Sequence, residues 1–417
     1  MGRQAAKAPV LNPLPQPASM APTPGTSEGK RRKRDGLLRA GRRLSPLLLI
    51  LPVAVLALML WASQDMIALD FHRSFRPAAE AVLNGSSPYP SPVAASMAER
   101  DAFVYLPFAA FVFTPFMLLP PLAADLVATG LMILFALAAL WILGVRDWRC
   151  YGIATFAPTL INAIQTANLT VPLLLALAAI WALRHRAVLP GLVLALTLAT
   201  KLFLWPVFVW LVATRRYRAA IASAATTAVL VGGSWALIGF AGLGDYPELL
   251  RVLAQSLERD SYTIFALASD LGAPDLLARG VGIAVGTATL LGCWVLGRRG
   301  DEPRSFTLAI LTALLLTPIV WLHYFALLLV PIAIAHKRLS LLWAIPVLLW
   351  LFVQGSGNGT SFQTAWALGV GALIAWLLLR VTPTKADADR LPAPRARIVA
   401  SREAERESVE PPLRTAA

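Results

Sequence analysis

The sequence predicts an all-α protein that crosses a membrane many times. Hydrophobic residues make up 57% of its 417 positions and charged residues only 14%, against roughly 25% charged in soluble domains. A soluble body this poor in charge could not cover its surface with polar groups. The apolar residues gather into thirteen runs, near 45–63, 104–119, 122–144, 150–164, 168–183, 187–200, 202–213, 218–240, 276–297, 305–319, 322–336, 340–354 and 362–380. Several approach the ~20 residues that cross a ~30 Å hydrocarbon core, so the expectation is a bundle of about 11–13 transmembrane helices.

The first 44 residues form a basic tail, in which ten Lys and Arg oppose only Glu28 and Asp35. The net charge of +14 therefore marks a cytoplasmic, lipid-facing segment and not a nucleic-acid surface. Residues 382–417, rich in Pro, Arg and Glu, read as a second disordered tail, and 45–381 as the membrane domain. Arg184/Arg186, Arg215/Arg216/Arg218, Arg298/Arg299 and Lys337/Arg338 fall on the same side as the N-terminal tail, which puts both termini in the cytoplasm of a plasma-membrane protein. The polar stretches 64–103 and 241–275 and the short 355–361 then lie outside. Thirteen runs with both tails on one side require one run to re-enter or lie flat, either 104–119 or 150–164. Cys150 and Cys293 offer neither a metal spacing nor a disulfide framework.

The outer stretch 64–103 holds Asp65, Asp70, His72, Arg73, Arg76, Glu80, Glu99, Arg100 and Asp101 among apolar residues. Within it Phe75, Ala79, Val82 and Leu83 share one helical face, which predicts an amphipathic helix over 71–83 lying on the outer membrane surface, an extracytoplasmic first loop. Asp70 has two readings, an N-cap of that helix or a carboxylate placed to take a proton from a hydroxyl nucleophile. Arg73 and Arg76, one turn apart, could grip a phosphate or lipid headgroups. Asn84 to Pro90 reads as a turn, with Tyr89 an interfacial anchor or a substrate contact.

Polar groups at membrane depth are costly and usually functional. Asn162, Gln165 and Asn168, three apart, share a helical face, either for interhelical hydrogen bonding or for a sugar or phosphate. Lys201 stands alone between apolar runs, snorkelling or meeting an anion. His323 opens a run on the same side as Asp70 and Lys201. A carboxylate, cations and amides on one side of broken helices suit an enzyme with a lipid-linked phosphosugar donor.

These residues also carry a resemblance. Asp70-Phe71, Ala78-Ala79, Leu83-Asn84-Gly85 and Pro88-Tyr89, then Val104 to Phe108, Pro115 and Leu119-Pro120 resemble glycosyltransferase family 87. So, in order, do Asn162…Gln165…Asn168, Lys201…Pro206, Arg215 to Arg218 and Pro318…Trp321…His323-Tyr324. The similarity spans roughly 45–380. Phe75, Leu106, Ile164 and Leu322 stand where the family pattern has Tyr, Pro, Gly and an acidic residue. The resemblance implies a GT-C fold and an inverting, extracytoplasmic transfer of a sugar from a polyprenyl-phosphate donor, most often mannose, to a glycolipid or cell-envelope glycan. It implies Asp70 as general base, with Lys201 and His323 near the donor phosphate. His72, Arg73, Arg76, Tyr89, Tyr105, Asn162, Gln165, Asn168 and Tyr324 complete the candidate donor contacts. An arabinofuranosyltransferase of the same fold and a non-enzymatic flippase of lipid-linked sugars are the alternatives. No cofactor is expected, and no metal site is assigned; Asp65, Asp70, Glu99 and Asp101 lack a diagnostic ligand spacing, leaving a divalent metal open.

Overall fold

The computed structural model describes residues 46–62, 64, 67–89, 103–352 and 360–380. The two tails, Asp65, Glu99, Arg100, Asp101 and the 355–359 part of the short outer stretch lie outside the described residues. The chain divides by its contacts at Leu47/Leu48. Of the first unit only Pro46 and Leu47 are described; the second unit carries the helical bundle and its cavity.

The expected class is what the structure shows: among the described residues every regular element is helical. Seventeen α-helices follow in order, α1 Leu47–Ala62, α2 Arg76–Leu83, α3 Pro107–Phe113, α4 Pro121–Ile142, α5 Trp148–Phe156, α6 Pro158–Gln165, α7 Thr170–Ala182, α8 Leu189–Thr200 and α9 Trp205–Ala213, then α10 Tyr217–Leu237, α11 Tyr246–Leu257, α12 Ile264–Asp270, α13 Asp275–Arg298, α14 Glu302–Leu316, α15 Leu329–Ala335, α16 Leu341–Ala344 and α17 Ser361–Arg380. Short 3₁₀ segments extend or join them at Thr114–Leu118, Leu202–Leu204, Leu322–Leu328 and Ile345–Leu351.

The runs and the helices do not map one to one. Among the described residues, only α4, α10, α13 and α17 are single helices long and apolar enough to cross a membrane; α6 and α7, bent by 115° at a short break, make a fifth if taken as one span. The other runs become shorter helices or broken pairs. Proline is the main cause, because it opens a helix comfortably but cannot continue one: Pro107, Pro121, Pro158 and Pro206 each stand at a helix start. Run 150–164 thus divides at Ala157 into α5 and α6, and run 104–119 finishes as 3₁₀.

Small residues let these helices approach, as expected where lipid is as apolar as leucine. Helix α4 buries Ala124, Ala128, Met132 and Ala136 along one stripe and leaves Leu122, Leu126, Leu134 and Trp141 exposed for lipid. Gly191 of α8 lies so close to α10 that a Cβ there would stand 1.9 Å from the Ala219 carbonyl oxygen. Buried at the centre are α14, from Ser305 to Leu314, and the whole stretch 322–333.

One end of the bundle is basic. Glu302 receives Arg216 Nη2 at 2.7 Å and lies 3.4 Å from Arg184 Nε, while Arg216 Nε donates to the Arg184 carbonyl at 2.7 Å. The connector between α4 and α5 joins the same end, since Asp147 accepts from Arg149 and from the Leu339 amide just after Lys337 and Arg338. Chain direction then fixes the opposite end: α7 begins there, α8 finishes there, and α14 finishes there before Leu322–Leu328 turns back.

The amphipathic pattern at 71–83 is present, but its partner is protein. Phe71–Phe75 is a single π turn leading into α2, and Phe71, Phe75, Ala79 and Val82 are buried, whereas Leu83 is exposed. Phe75 stacks on Phe113 with ring centres 4.5 Å apart, and Phe71 lies 5.1 Å from Phe116. The apolar face therefore packs on α3 and its 3₁₀ extension and does not lie on a bilayer surface.

Candidate active site

At the end away from the Arg184–Arg216–Glu302 cluster, six separated pieces of chain surround a cavity of about 640 Å³. Its walls include Asp70, Arg73, Tyr105, Asn162, Asn168, Lys201, His323 and Tyr324.

Asp70 is placed by backbone. The bend after α6 leaves carbonyls at the helix C-terminus without intrahelical donors, and the amides of Ala68 and Asp70 fill that need, bonding Gln165 O at 2.7 Å and Thr166 O at 3.0 Å. Both sides of this splice bend through left-handed backbone at residues that are not glycine, Ala68 (φ 52°) and Ala167 (φ 51°), an arrangement that persists only when its surroundings enforce it. Asn168 then completes the join. Its Oδ1 accepts from the Thr170 amide at 2.8 Å and the Thr170 hydroxyl at 2.7 Å. With the oxygen committed twice, Nδ2 is left to donate, and it donates to Asp70 Oδ2. A donor fixed in this way sets the direction in which the Asp70 carboxylate points. The N-cap reading of Asp70 fails, because its side chain makes no capping hydrogen bond.

Lys201 caps α8 in extended backbone (φ −152°), where the carbonyl end of the helix favours a cation. Its Nζ donates to the Tyr324 hydroxyl and stands 5.2 Å from the Tyr105 ring centre. Tyr105 is held from behind: Tyr89 OH donates to its carbonyl at 2.8 Å and Tyr246 OH to the carbonyl of Val104 at 3.0 Å. His323 follows Val320, whose carbonyl accepts from the Tyr262 amide at 2.8 Å. Its Nδ1 is 3.1 Å from Asn162 Oδ1, and its Nε2 is buried without a hydrogen-bond partner among the described residues. With Asn162 Oδ1 accepting, the ring proton sits on Nδ1 and Nε2 is an acceptor.

The predicted residues thus divide. Asp70, Arg73, Tyr105, Asn162, Asn168, Lys201, His323 and Tyr324 line one cavity; His72, Arg76, Tyr89 and Gln165 do not. His72 Nδ1 is 3.4 Å from Asp125 on α4. Arg76 opens α2 and lies off the cavity lining, with its Nη1 buried and without a hydrogen-bond partner among the described residues. Tyr89 packs on Trp235 and Tyr246, at 5.4 and 5.0 Å, and acts behind Tyr105. Gln165 ends α6 and Asn168 lies past the break, so the expected stripe on one helix is not continuous.

Sequence reasoning missed the opposite wall. The polar stretch 241–275 contains α11, which presents Tyr246, Leu250, Leu253 and Leu257 to the cavity while Glu248 and Arg251 are exposed. Their helical spacing was the available signal. Among the described residues no group of three or more His, Cys, Asp or Glu could hold a metal ion.

Residues 103–322 match the model of glycosyltransferase family 87. The polyprenol-phosphate-mannose-dependent alpha-(1-2)-phosphatidylinositol pentamannoside mannosyltransferase of Mycolicibacterium smegmatis is 28% identical over 315 residues, 68% of this chain and 69% of that protein. No solved structure matches. The matched segment includes Tyr105, Asn162, Asn168 and Lys201; His323 and Tyr324 lie just past its end, and Asp70 lies well before its start.

Proposed function

The chain belongs to glycosyltransferase family 87, a family of membrane glycosyltransferases, and on that premise we propose that it moves a sugar, mannose foremost, from a polyprenyl phosphate to a hydroxyl of a glycolipid or envelope glycan, with inversion. One observation carries the reading: a carboxylate, a lysine and an imidazole from distant parts of the sequence line a single cavity.

In the proposed step the acceptor oxygen attacks the anomeric carbon from the face opposite the phosphate. The new C–O bond forms as the bond to the phosphate oxygen breaks, and the acceptor proton passes to Asp70. Polyprenyl phosphate leaves with the negative charge that Lys201 and Arg73 are disposed to meet. His323 Nε2, an acceptor in the tautomer set by Asn162, suits a sugar hydroxyl next to that phosphate. Orientation follows from charge. The end bearing Arg184, Arg216, Lys337 and Arg338 belongs in the cytoplasm by the positive-inside rule, so the cavity faces outward, in a plasma membrane with both termini inside. The flippase alternative is less favoured, since transport sites tend to lie near the bilayer midplane and these polar groups gather toward one end.

The test uses purified protein with polyprenyl-phosphate mannose, polyprenyl-phosphate arabinose and a glycolipid acceptor. Mannose transfer by the wild type is expected, with Asp70→Asn slower by about 10²–10⁴-fold and donor binding retained. Arabinose transfer alone would move the chain to the arabinofuranosyltransferase reading. An Asp70→Asn variant working at the wild-type rate would remove Asp70 as base.

A further inference from the structure

Arginine is treated differently at the two ends of the bundle. On the cavity side Arg251, Arg259 and Arg279 each hold a carboxylate, those of Glu248, Asp275 and Glu258. At the basic end Asp301 and Glu302 are taken up by Arg304, Arg184 and Arg216. Among the described residues no carboxylate there lies within ion-pair distance of Arg215, Arg218, Arg298 or Arg299. A count of positive charge is enough to orient a membrane protein, but Arg298 is also fixed in place. It ends α13, its Nη1 donates to the Tyr217 hydroxyl at the start of α10 at 3.2 Å, and its guanidinium sits over the Trp294 ring at 4.6 Å. Beside it, Gly297 lies so close to α9 that a Cβ would stand 2.8 Å from the Ala213 Cβ. Helix α9 packs against both α10 and α13, which run in opposite directions and are joined at this end by Arg298 and Tyr217. From that bridge an exposed apolar stripe runs toward the bilayer interior on each helix, Trp294 and Leu291 on α13 and Ile221 on α10.

We propose that this corner binds a diacyl phospholipid of net negative charge. Arg298 spends one guanidinium N–H on Tyr217, and a guanidinium seated on an aromatic ring keeps its other N–H groups at its edge, where phosphate oxygens can accept from them. The Tyr217 oxygen accepts from Arg298, so its own proton is left to donate. Arg218 follows on α10 and is exposed at the same end. A headgroup phosphate seated here meets donors and positive charge, and its acyl chains continue along the two stripes. The occupant follows from that juxtaposition. A free anion would use the arginines and leave the stripes idle; a zwitterionic lipid would use the stripes and bring a cation against the arginines. A lipid held in this way ties α10 to α13 across the basic end. Sugar transfer plays no part in it.

Native mass spectrometry of the full-length protein, stripped of lipid in detergent, tests this. With phosphatidylglycerol and phosphatidylcholine of identical chains supplied together, one phosphatidylglycerol per chain is expected to be retained in preference. Arg298→Gln should weaken that retention about fivefold, and Arg218→Gln combined with Arg298→Gln about 25-fold. Arg251→Gln, at the other end, should leave it unchanged. In nanodiscs, phosphatidylglycerol should raise the thermal midpoint of the wild type above its value in phosphatidylcholine alone and give the double variant no such gain. Equal retention of the two lipids by the wild type, a comparison that needs no variant to fold, would overturn the proposal. So would undiminished retention in the double variant, or an equal loss in Arg251→Gln. Displacement of the lipid by excess inorganic phosphate would also overturn it, making the corner a site for the free anion.

Discussion

Asn168 shows how much one amide can decide. It satisfies the start of α7 with its oxygen and Asp70 with its nitrogen, so it is both a structural cap and the group that aims the carboxylate. Replacing it by leucine removes a hydrogen bond to a charged group, worth about 1.5–3 kcal/mol. The expected result for Asn168→Leu is a kcat roughly 10–100-fold lower at unchanged donor affinity, measured by initial rates and by donor binding; a variant with wild-type kcat would show that Asp70 needs no aiming. Sequence alone placed Asp70, Lys201 and His323 on one side, and the structure gathers them in one cavity. It did not place Asn168 correctly. The helical stripe through Asn162 and Gln165 was extended across Ala167, and nothing in an alanine announces left-handed backbone. That conformation is imposed by the splice to Ala68 and Asp70, a contact about a hundred residues distant in the chain.

Among the elements, the connector Arg146–Arg149 has the clearest electrostatic role. The Arg149 guanidinium, helped by the Leu339 and Arg149 amides, holds the Asp147 carboxyl down from 3.8 to about 2. Because the folded value is depressed, the stabilisation is complete above 3.8 and disappears as pH falls through about 2. For protein in detergent, the thermal midpoint of the wild type should fall with acidification across that window. Asp147→Ala should lower the midpoint at neutral pH, by the cost of a lost cap, about 0.5–2 kcal/mol, and flatten the slope. An unchanged slope would assign the acid sensitivity elsewhere. Other elements were only partly legible. The period of α11 was readable in Tyr246, Leu250, Leu253 and Leu257, but charged neighbours and a position between apolar runs made it look like a loop. The face of 71–83 was readable too, and what covers it was not, because bilayer and α3 ask for the same apolar side chains.

For the whole molecule, composition and run spacing made the class plain. Whether a run is one helix or two depends on where prolines and splices interrupt it, which is why thirteen runs yield only four unbroken long helices among the described residues. The two ends provide the remaining prediction. With the native Cys150 and Cys293 buried, Ser86→Cys near the cavity end should react with a membrane-impermeant maleimide on intact cells, and Arg338→Cys only after permeabilisation; the reverse pattern would invert the proposed orientation. The short α6 has a mechanical consequence at this scale. Its middle holds the His323 imidazole through Asn162, while its last carbonyls and the residues just beyond hold the segment that bears Asp70. One short helix and its C-terminal bend therefore carry an imidazole and a carboxylate supplied by opposite halves of the chain. Any shift of that helix against its neighbours would carry imidazole and carboxylate in concert, so the spacing between them is tied to one short element and not to the packing of the whole bundle.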